Sequence, residues 1–357
     1  MKKLRFALFG TGFWSRFQLG GWQQTGKTEC VALYNRTRSK AEAVAREWNV
    51  PAVYDDPQAL LDNEKLDFVD ICTNVETHAP LTLMALERGL PVVCQKPMAT
   101  SLAEAEQMVA ASQRLGVPLY INENWRWQYP LRQLKAHLDS GRIGRVFRAR
   151  IDYRNSFPVF DNQPFLKELE QFILTDIGSH ILDTARYLFG EAVSLLCHTH
   201  RIHQDIKGED VATVMFKMQS GATVVCDMSY ASRTERERFP QTYVEIEGSE
   251  GFLELAQDYW VRETTAQGTF CKRYVPPRFS WADPAYDLVH SSIHPCQDNL
   301  ADALLGHAQA ETSAEDNLKT VQLMYGSYAS AATGQVVALP FTSQDYARLC
   351  SGTSATG

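Results

Sequence analysis

The chain has 357 residues, of which 45% are hydrophobic and 22% charged, with a formal net charge of -7. That length suits two domains with sizeable cores, and the composition is that of an ordinary globular protein. The acidic balance gives no footprint for nucleic acid, and the apolar runs are far short of a membrane span.

Met1-Lys2-Lys3 before apolar residues mimics the head of a secretory signal, but Arg5 and two glycines interrupt the run. The segment reads as the first strand of a cytoplasmic protein. Phe6-Ala7-Leu8-Phe9 ends abruptly in Gly10-Thr11-Gly12, and Phe13-Trp14-Ser15-Arg16-Phe17-Gln18-Leu19 then starts a helix. A strand that turns on glycines into a helix N-terminus cradles phosphate, because exposed N–H groups and the helix dipole both favour an anion. The dinucleotide fingerprint G-x-G-x-x-G has Ser15 at its third position, where a small residue serves close helix–strand packing. Alone, two glycines also fit a strand–turn–helix that binds nothing.

Strands are predicted at Arg5–Phe9, Cys30–Tyr34, Ala52–Tyr54, Phe68–Cys72, Pro91–Cys94 and Pro118–Ile121, with helices at Ser39–Trp48, Leu81–Arg88 and Ser101–Leu115. Ser101 and Glu104 form a capping box. This alternation predicts a doubly wound parallel sheet over residues 1–123, an α/β Rossmann domain whose ligand lies beyond the carboxyl ends of the strands. Gly10, Asn35, Thr73 and Gln95 lie just past strand ends.

After residue 123 the texture changes. Helices are expected at Leu131–Leu138 and Ile173–Leu188, and strands at Val146–Tyr153, Val211–Lys217, Thr223–Ser229, Thr242–Glu247, Phe252–Leu255 and Trp260–Arg262. Helices Asp298–Leu305 and Glu315–Ala332 follow, the second capped by Thr312. Residues 124–350 therefore read as an α+β domain with an open, mainly antiparallel sheet, and 351–357 as a disordered tail. The eight cysteines show no C-x-x-C spacing and fit packed, reduced thiols. His198, His200 and His203 lack a cysteine or carboxylate cluster at ligand spacing, so an exposed strand edge and no metal are expected.

Two further motifs carry chemistry. Gln95-Lys96-Pro97 puts an ammonium at the crevice rim. Asp176-Ile177-Gly178-Ser179-His180 puts a carboxylate and an imidazole four apart, on one helix face. By itself that pair also fits a surface contact of about 0.2–0.5 kcal/mol.

In their order and spacing, from Phe6–Gly12 to Ala310-Glu311-Thr312-Ser313-Ala314-Glu315-Asp316, these segments resemble the glucose–fructose oxidoreductase/inositol dehydrogenase (Gfo/Idh/MocA) family. The resemblance implies an NAD(P)-dependent oxidoreductase acting on CH–OH groups. It implies Lys96, Asp176 and His180 as the catalytic set: His180 as base, with an unperturbed pKa near working pH, Lys96 stabilising alkoxide charge, and Asp176 holding a sugar hydroxyl or tuning the other two. The family usually has Glu where Gln95 stands, which changes the charge beside the lysine.

Cofactor contacts are expected from Gly10, Gly12, Phe13 and Trp14, from Asn35 and Arg36, from Thr73, Asn74 and His78, and from Gln95, Lys96 and Asn124. Trp14 and Trp22 equally suit packing. Substrate contacts are expected from Arg126 and from the loop residues Phe160, Asp161 and Asn162, beside Lys96, Asp176 and His180. Trp125 and Trp127 equally suit core positions. Asn35 and Arg36 at the end of strand two, without Asp or Glu, lean towards NADP or dual use. The resemblance favours NAD, the expected main cofactor.

The implied reaction is oxidation of a small uncharged aldose at C1 to a lactone. Asn35-Arg36-Thr37-Arg38-Ser39-Lys40 and Asp161-Asn162-Gln163-Pro164-Phe165 look most like the family members acting on the branched pentose D-apiose. Alternatives are an inositol or polyol dehydrogenase, a nucleotide-sensing binding protein without turnover, and a tight nonexchanging cofactor serving two coupled substrates. No nucleic-acid or membrane partner is expected. An open sheet needs a cover, which predicts a homodimer or homotetramer through the C-terminal sheet.

Overall fold

The computed structural model describes residues 3–235 and 239–350; the tail at 351–357 lies outside them. The chain divides into two compact units, Met1–Asn124 with Arg278–Leu318, and Trp125–Pro277 with Lys319–Gly357. Residues 278–318 thus cluster with the first unit, a departure from one continuous domain over 124–350.

In the first unit, β1 (Leu4–Phe9), β2 (Thr28–Tyr34), β3 (Ala52–Tyr54), β4 (Phe68–Ile71), β5 (Val92–Gln95) and β6 (Leu119–Asn122) form one sheet. Its order is β3-β2-β1-β4-β5-β6, and every neighbouring pair is parallel. This is the Rossmann order, reversing between β1 and β4. Phe6–Phe9, Phe68–Ile71 and Val92–Cys94 are buried throughout, as strands covered on both faces must be.

Helices Ser15–Thr25, Arg38–Trp48, Pro57–Asn63, His78–Leu86 and Leu102–Leu115 connect the strands. The Ser101 hydroxyl accepts from the Glu104 N–H at 3.2 Å, but the Glu104 carboxylate accepts from the Thr100 N–H at 3.0 Å. The box therefore reaches one residue further back than expected. The helix Asp287–Leu304 begins eleven residues before the predicted Asp298, because it runs through Pro295. It lies close against Ser15–Thr25. A Cβ on Gly21 would meet Gln297 Oε1 at 2.2 Å, and one on Gly20 the Trp281 ring at 2.7 Å.

In the second unit, β7 (Val146–Arg154), β8 (Ala192–His200), β9 (Val211–Met218), β10 (Thr223–Ser229), β11 (Tyr243–Gly248), β12 (Gly251–Ala256), β13 (Trp260–Thr265), β14 (Gly268–Arg273) and β15 (Val337–Ala338) form a nine-stranded sheet. The order is β14-β13-β12-β11-β7-β10-β9-β8-β15. Only β7 and β10 pair in parallel; the other neighbours are antiparallel. On β7, Ala149, Ile151 and Tyr153 are buried, while Arg148, Arg150 and Arg154 point outwards. That outer face carries ion pairs, with Arg150 2.9 Å from Asp152 and 2.7 Å from Asp227, beside the exposed Met215 and Trp260. Helix Ala314–Thr333 is preceded by Ser313, whose hydroxyl accepts from the Asp316 N–H at 3.2 Å. Ser313, not the expected Thr312, is the cap. Among the described residues no helix is long and apolar enough to cross a membrane.

One buried carboxyl sits inside the parallel sheet. Asp70 on β4 is 0% exposed and accepts from Trp22 Nε1 at 2.6 Å and Gln18 Nε2 at 2.9 Å. Burial outweighs these bonds and pushes its pKa up to about 7. An acid with a raised folded-state pKa holds its proton longer in the native than in the unfolded chain, so stability falls as pH rises from about 4 to about 7. The contribution over that window is about 4 kcal/mol. Asp70→Asn should remove this slope. Its stability relative to the parent, from urea unfolding at several pH values, should rise between acid and neutral pH. A pH-independent difference would refute the assignment.

Candidate active site

The first unit supplies an anion cradle. Gly10 has φ 100°, and its N–H donates to Tyr34 O at 2.8 Å. A Cβ there would lie 2.4 Å from Cys72 O, so only glycine allows β1 and β4 to approach so closely at their carboxyl ends. At Gly12 a Cβ would meet nothing within 4 Å; the turn faces open space. Ser15 is buried, and its hydroxyl donates to Gly12 O at 2.6 Å, so the serine at the third fingerprint position ties the turn to the helix. No side chain caps that helix. Its Ser15 and Phe17 N–H groups donate to Gly12 O at 3.2 Å and Trp14 O at 3.1 Å, so the open glycine turn and the positive end of the helix dipole are what suit a pyrophosphate here.

The other expected cofactor residues divide into two groups. Phe13 is 72% exposed beside the turn, and Arg36 and Asn74 are exposed. Trp14 packs edge-on against Phe17 and His290, at 5.6 and 5.7 Å between ring centroids. Asn35 donates from Nδ2 to Thr11 Oγ1 at 2.7 Å and accepts at Oδ1 from the Thr37 N–H at 2.8 Å, so much of its bonding capacity shapes the loop after β2. Thr73 Oγ1 accepts from the Thr77 hydroxyl at 2.7 Å.

His78 and Asn124 are inside the fold. His78 is 1% exposed, with Nδ1 2.9 Å from Pro97 O and Nε2 3.1 Å from Thr73 O. Burial lowers its pKa and favours the neutral ring. The ring sits between the loop after β4 and the Lys96-Pro97 segment, and in its neutral form its single N–H donates to one of the two carbonyls. Asn124 is buried and donates to Ser292 Oγ at 2.7 Å. Both are packed into the unit. Gln95 accepts from the Lys96 N–H at 2.9 Å through Oε1, and Lys96 itself is half-buried.

The second unit supplies Asp176 and His180. A π-helical turn, Leu174–Gly178, precedes the α-helix Ser179–Phe189, where one continuous α-helix was expected. Such single turns re-aim side chains. Asp176 Oδ2 accepts from the Tyr230 hydroxyl at 3.1 Å. Burial holds the Tyr230 pKa well above its usual value, so the phenol stays a donor. The His180 ring stacks on Trp125 with 4.4 Å between centroids and 19° between planes.

Arg126, expected at the substrate, instead forms a two-pronged pair with Asp183 on the same helix, with Nε to Oδ2 at 2.7 Å. Both groups are buried, so the guanidinium is oriented by the core carboxylate. Phe160 packs against Phe172 at 5.2 Å and His203 at 5.9 Å. Asp161 is exposed; the side chain of Asn162 lies outside the described residues.

Sequence reasoning missed Tyr230 and Asp183 and left Trp125 undecided. An aromatic in a strand run and an acid on a helix carry no local signal of the partner they meet. Among the described residues no group of three His, Cys, Asp or Glu side chains could hold a metal ion.

Comparison with known proteins identifies the family. The oxidoreductase family with an NAD-binding Rossmann fold matches residues 4–123, and the GFO/IDH/MocA C-terminal domain matches residues 131–254. The chain is 41% identical over 339 residues to a D-apiose dehydrogenase of Paraburkholderia graminis, covering 95% of this chain and 90% of the relative. It is 38% identical over 337 residues to a D-apiose dehydrogenase of Rhizobium rhizogenes, covering 94% and 98%. The crystal structure of an oxidoreductase from Agrobacterium radiobacter in complex with NAD+, L-tartaric acid and magnesium superimposes with a TM-score of 0.92 at 37% identity, covering 94% of this chain and 98% of that one. With both domain families matched and relatives of this identity spanning almost the whole chain, the protein belongs to the GFO/IDH/MocA family of NAD-binding oxidoreductases.

Proposed function

We propose that this protein is an NAD-dependent sugar dehydrogenase that oxidises D-apiose, a small uncharged aldose, at C1 to the lactone. The observation that carries the reading is the near-full-length likeness to two D-apiose dehydrogenases. The resemblance of Gln95-Lys96-Pro97 and of Asp176-Ile177-Gly178-Ser179-His180 to the family's segments supports Lys96, Asp176 and His180 as the catalytic groups.

Bound NAD supplies the hydride acceptor. Gly10, Gly12 and the N-terminus of Ser15–Thr25 hold its pyrophosphate, flanked by Phe13 and Trp14. Asn35 and Arg36 take the adenine ribose end, and Thr73, Asn74 and Gln95 line the strand ends beyond. His78 and Asn124 act indirectly, through the backbone they fix. In the reaction His180 accepts the proton of the C1 hydroxyl at a ring nitrogen. The Lys96 ammonium donates to the same oxygen and stabilises its developing charge. Asp176, oriented by the Tyr230 hydroxyl, accepts from a neighbouring sugar hydroxyl. Asp161, with Phe160 and Asn162, borders the sugar. The protein works in the cytoplasm as a homodimer or homotetramer, with the outer face of the nine-stranded sheet covered by another copy.

Three measurements test this. A panel of sugars and polyols with NAD, followed by NADH formation, should give the highest kcat/KM with D-apiose; turnover of inositol alone would replace the aldose reading with a polyol one. Lys96→Met should lower kcat/KM by about 10²–10³-fold while NAD affinity is retained, and near-parent turnover would remove Lys96 from the chemistry. Sedimentation equilibrium should return two or four chains per particle; a monomer would leave the sheet face uncovered and refute the assembly.

A further inference from the structure

Trp125 has a place in the second unit that the reading above does not use. It is 3% exposed, and its ring lies nearly parallel to the His180 imidazole, which is 5% exposed. The indole is itself held on two sides. Its Nε1–H donates to Thr242 Oγ1 at 3.0 Å, and its edge meets Tyr153 at 5.9 Å and 70°. Thr242 is 1% exposed, so the indole is anchored inside the core, not at a mobile rim.

We propose that Trp125 is the positioning residue of His180: its indole face sets the plane of the imidazole and so the plane in which the ring nitrogens lie. The inference rests on the reading of His180 as the base. An imidazole turns about a broad, two-fold terminal torsion, and nothing on the histidine itself chooses the angle. With an indole 4.4 Å away at 19°, turning the ring edge-on would drive it into the tryptophan. The stack covers a ring face and leaves hydrogen bonding to the ring edge, which carries the nitrogens. Proton transfer needs heavy-atom separations of about 2.6–3.2 Å, and a misplacement of about 1 Å costs on the order of 10²-fold in rate. The stack also suits the ring after it has taken the proton, since a cation is attracted to an aromatic face. The hydroxyl of Thr242 thus acts on His180 at one remove, by holding the indole.

Plain core packing would also bury a tryptophan here, and the test separates the two. Trp125→Phe keeps an aromatic face, Trp125→Leu removes it, and Thr242→Val releases the indole N–H at nearly constant volume. For a positioning residue, kcat of Trp125→Leu should fall about 10²-fold, with KM for the sugar and the Kd for NAD close to the parent values. Trp125→Phe should restore most of that loss, and Thr242→Val should lower kcat without changing NAD binding. In parallel, the parent protein labelled with 13C-histidine should show the His180 ring resonance, assigned by its loss in His180→Asn, shifted upfield by the indole ring current. The resonance should move downfield in Trp125→Leu.

Parent-like kcat in Trp125→Leu would overturn the proposal. So would equal damage to kcat, KM and NAD affinity, or Trp125→Phe as poor as Trp125→Leu, since both mark packing alone. Should Trp125→Leu fail to fold, Thr242→Val decides by its kcat. Should the parent oxidise no sugar at all, the functional reading fails, and the histidine resonance still decides the stack: an unshifted ring signal in Trp125→Leu overturns it.

Discussion

A close backbone approach in the first unit falls where its sheet reverses order. At Gly10 the end of β1 touches the carbonyl of Cys72 at the end of β4, at a distance no side chain tolerates. Several contacts build on that approach. Cys72 leads into Thr73, whose carbonyl faces one nitrogen of His78, while the other nitrogen faces Pro97 O. Pro97 follows Lys96, whose N–H is held by the Gln95 side chain. A chain of short contacts therefore runs from the glycine turn to the lysine without leaving the strand ends. The glycine turn and the backbone of the lysine segment are tied to the same strand ends by these groups, and buried backbone groups must be paired wherever they lie.

The second unit holds its candidate groups by a different route. From the π-turn to the end of helix Ser179–Phe189, the polar residues at successive turns each meet a partner from elsewhere in the unit. Asp176 meets Tyr230, His180 meets Trp125 and Asp183 meets Arg126. Arg186 meets Glu191 at 2.9 Å and Thr320 at 2.9 Å. Asp183 is 0% exposed, and a buried charge left without its partner is strongly destabilising. The Arg126–Asp183 pair therefore sets the register of the helix against the segment that carries Trp125, one residue before Arg126. The helix register and the stack on His180 thus involve neighbouring residues.

Much of this was legible in the sequence, for physical reasons. Strands buried on both faces are continuous apolar runs between turn residues, and β1, β2, β4 and β5 were read to within two residues at either end. The glycine turn and the Lys96 segment follow such strands directly, so their positions came with them. What stayed hidden depended on partners distant in sequence. β14 is exposed at every residue and has no alternation to read. Pro295 argues for a break, yet helix Asp287–Leu304 continues through it because its apolar face is packed. The π-turn leaves no trace in residue type. Arg126 looked like a ligand contact because polar residues beyond strand ends commonly are, and its partner Asp183 lies 57 residues on.

The departure at Gln95 fits this division of labour. A glutamate there would offer the same acceptor to the Lys96 N–H, with a negative charge added. Gln95 keeps the hydrogen bond through Oε1 and leaves the lysine segment without that charge. The substitution therefore takes away one negative charge next to the lysine segment while the hydrogen bond to its backbone stays. Asn35 makes a parallel choice at the end of β2, with a neutral amide bonded to Thr11 and Thr37 where dinucleotide sites for NAD commonly carry an acid. Both amides keep the hydrogen-bonding geometry of the cradle while removing negative charge from its rim. A dinucleotide brings two phosphate charges to that rim. Taking like charge away from it favours the anion as a whole, in the same direction as the uncapped helix behind the glycine turn.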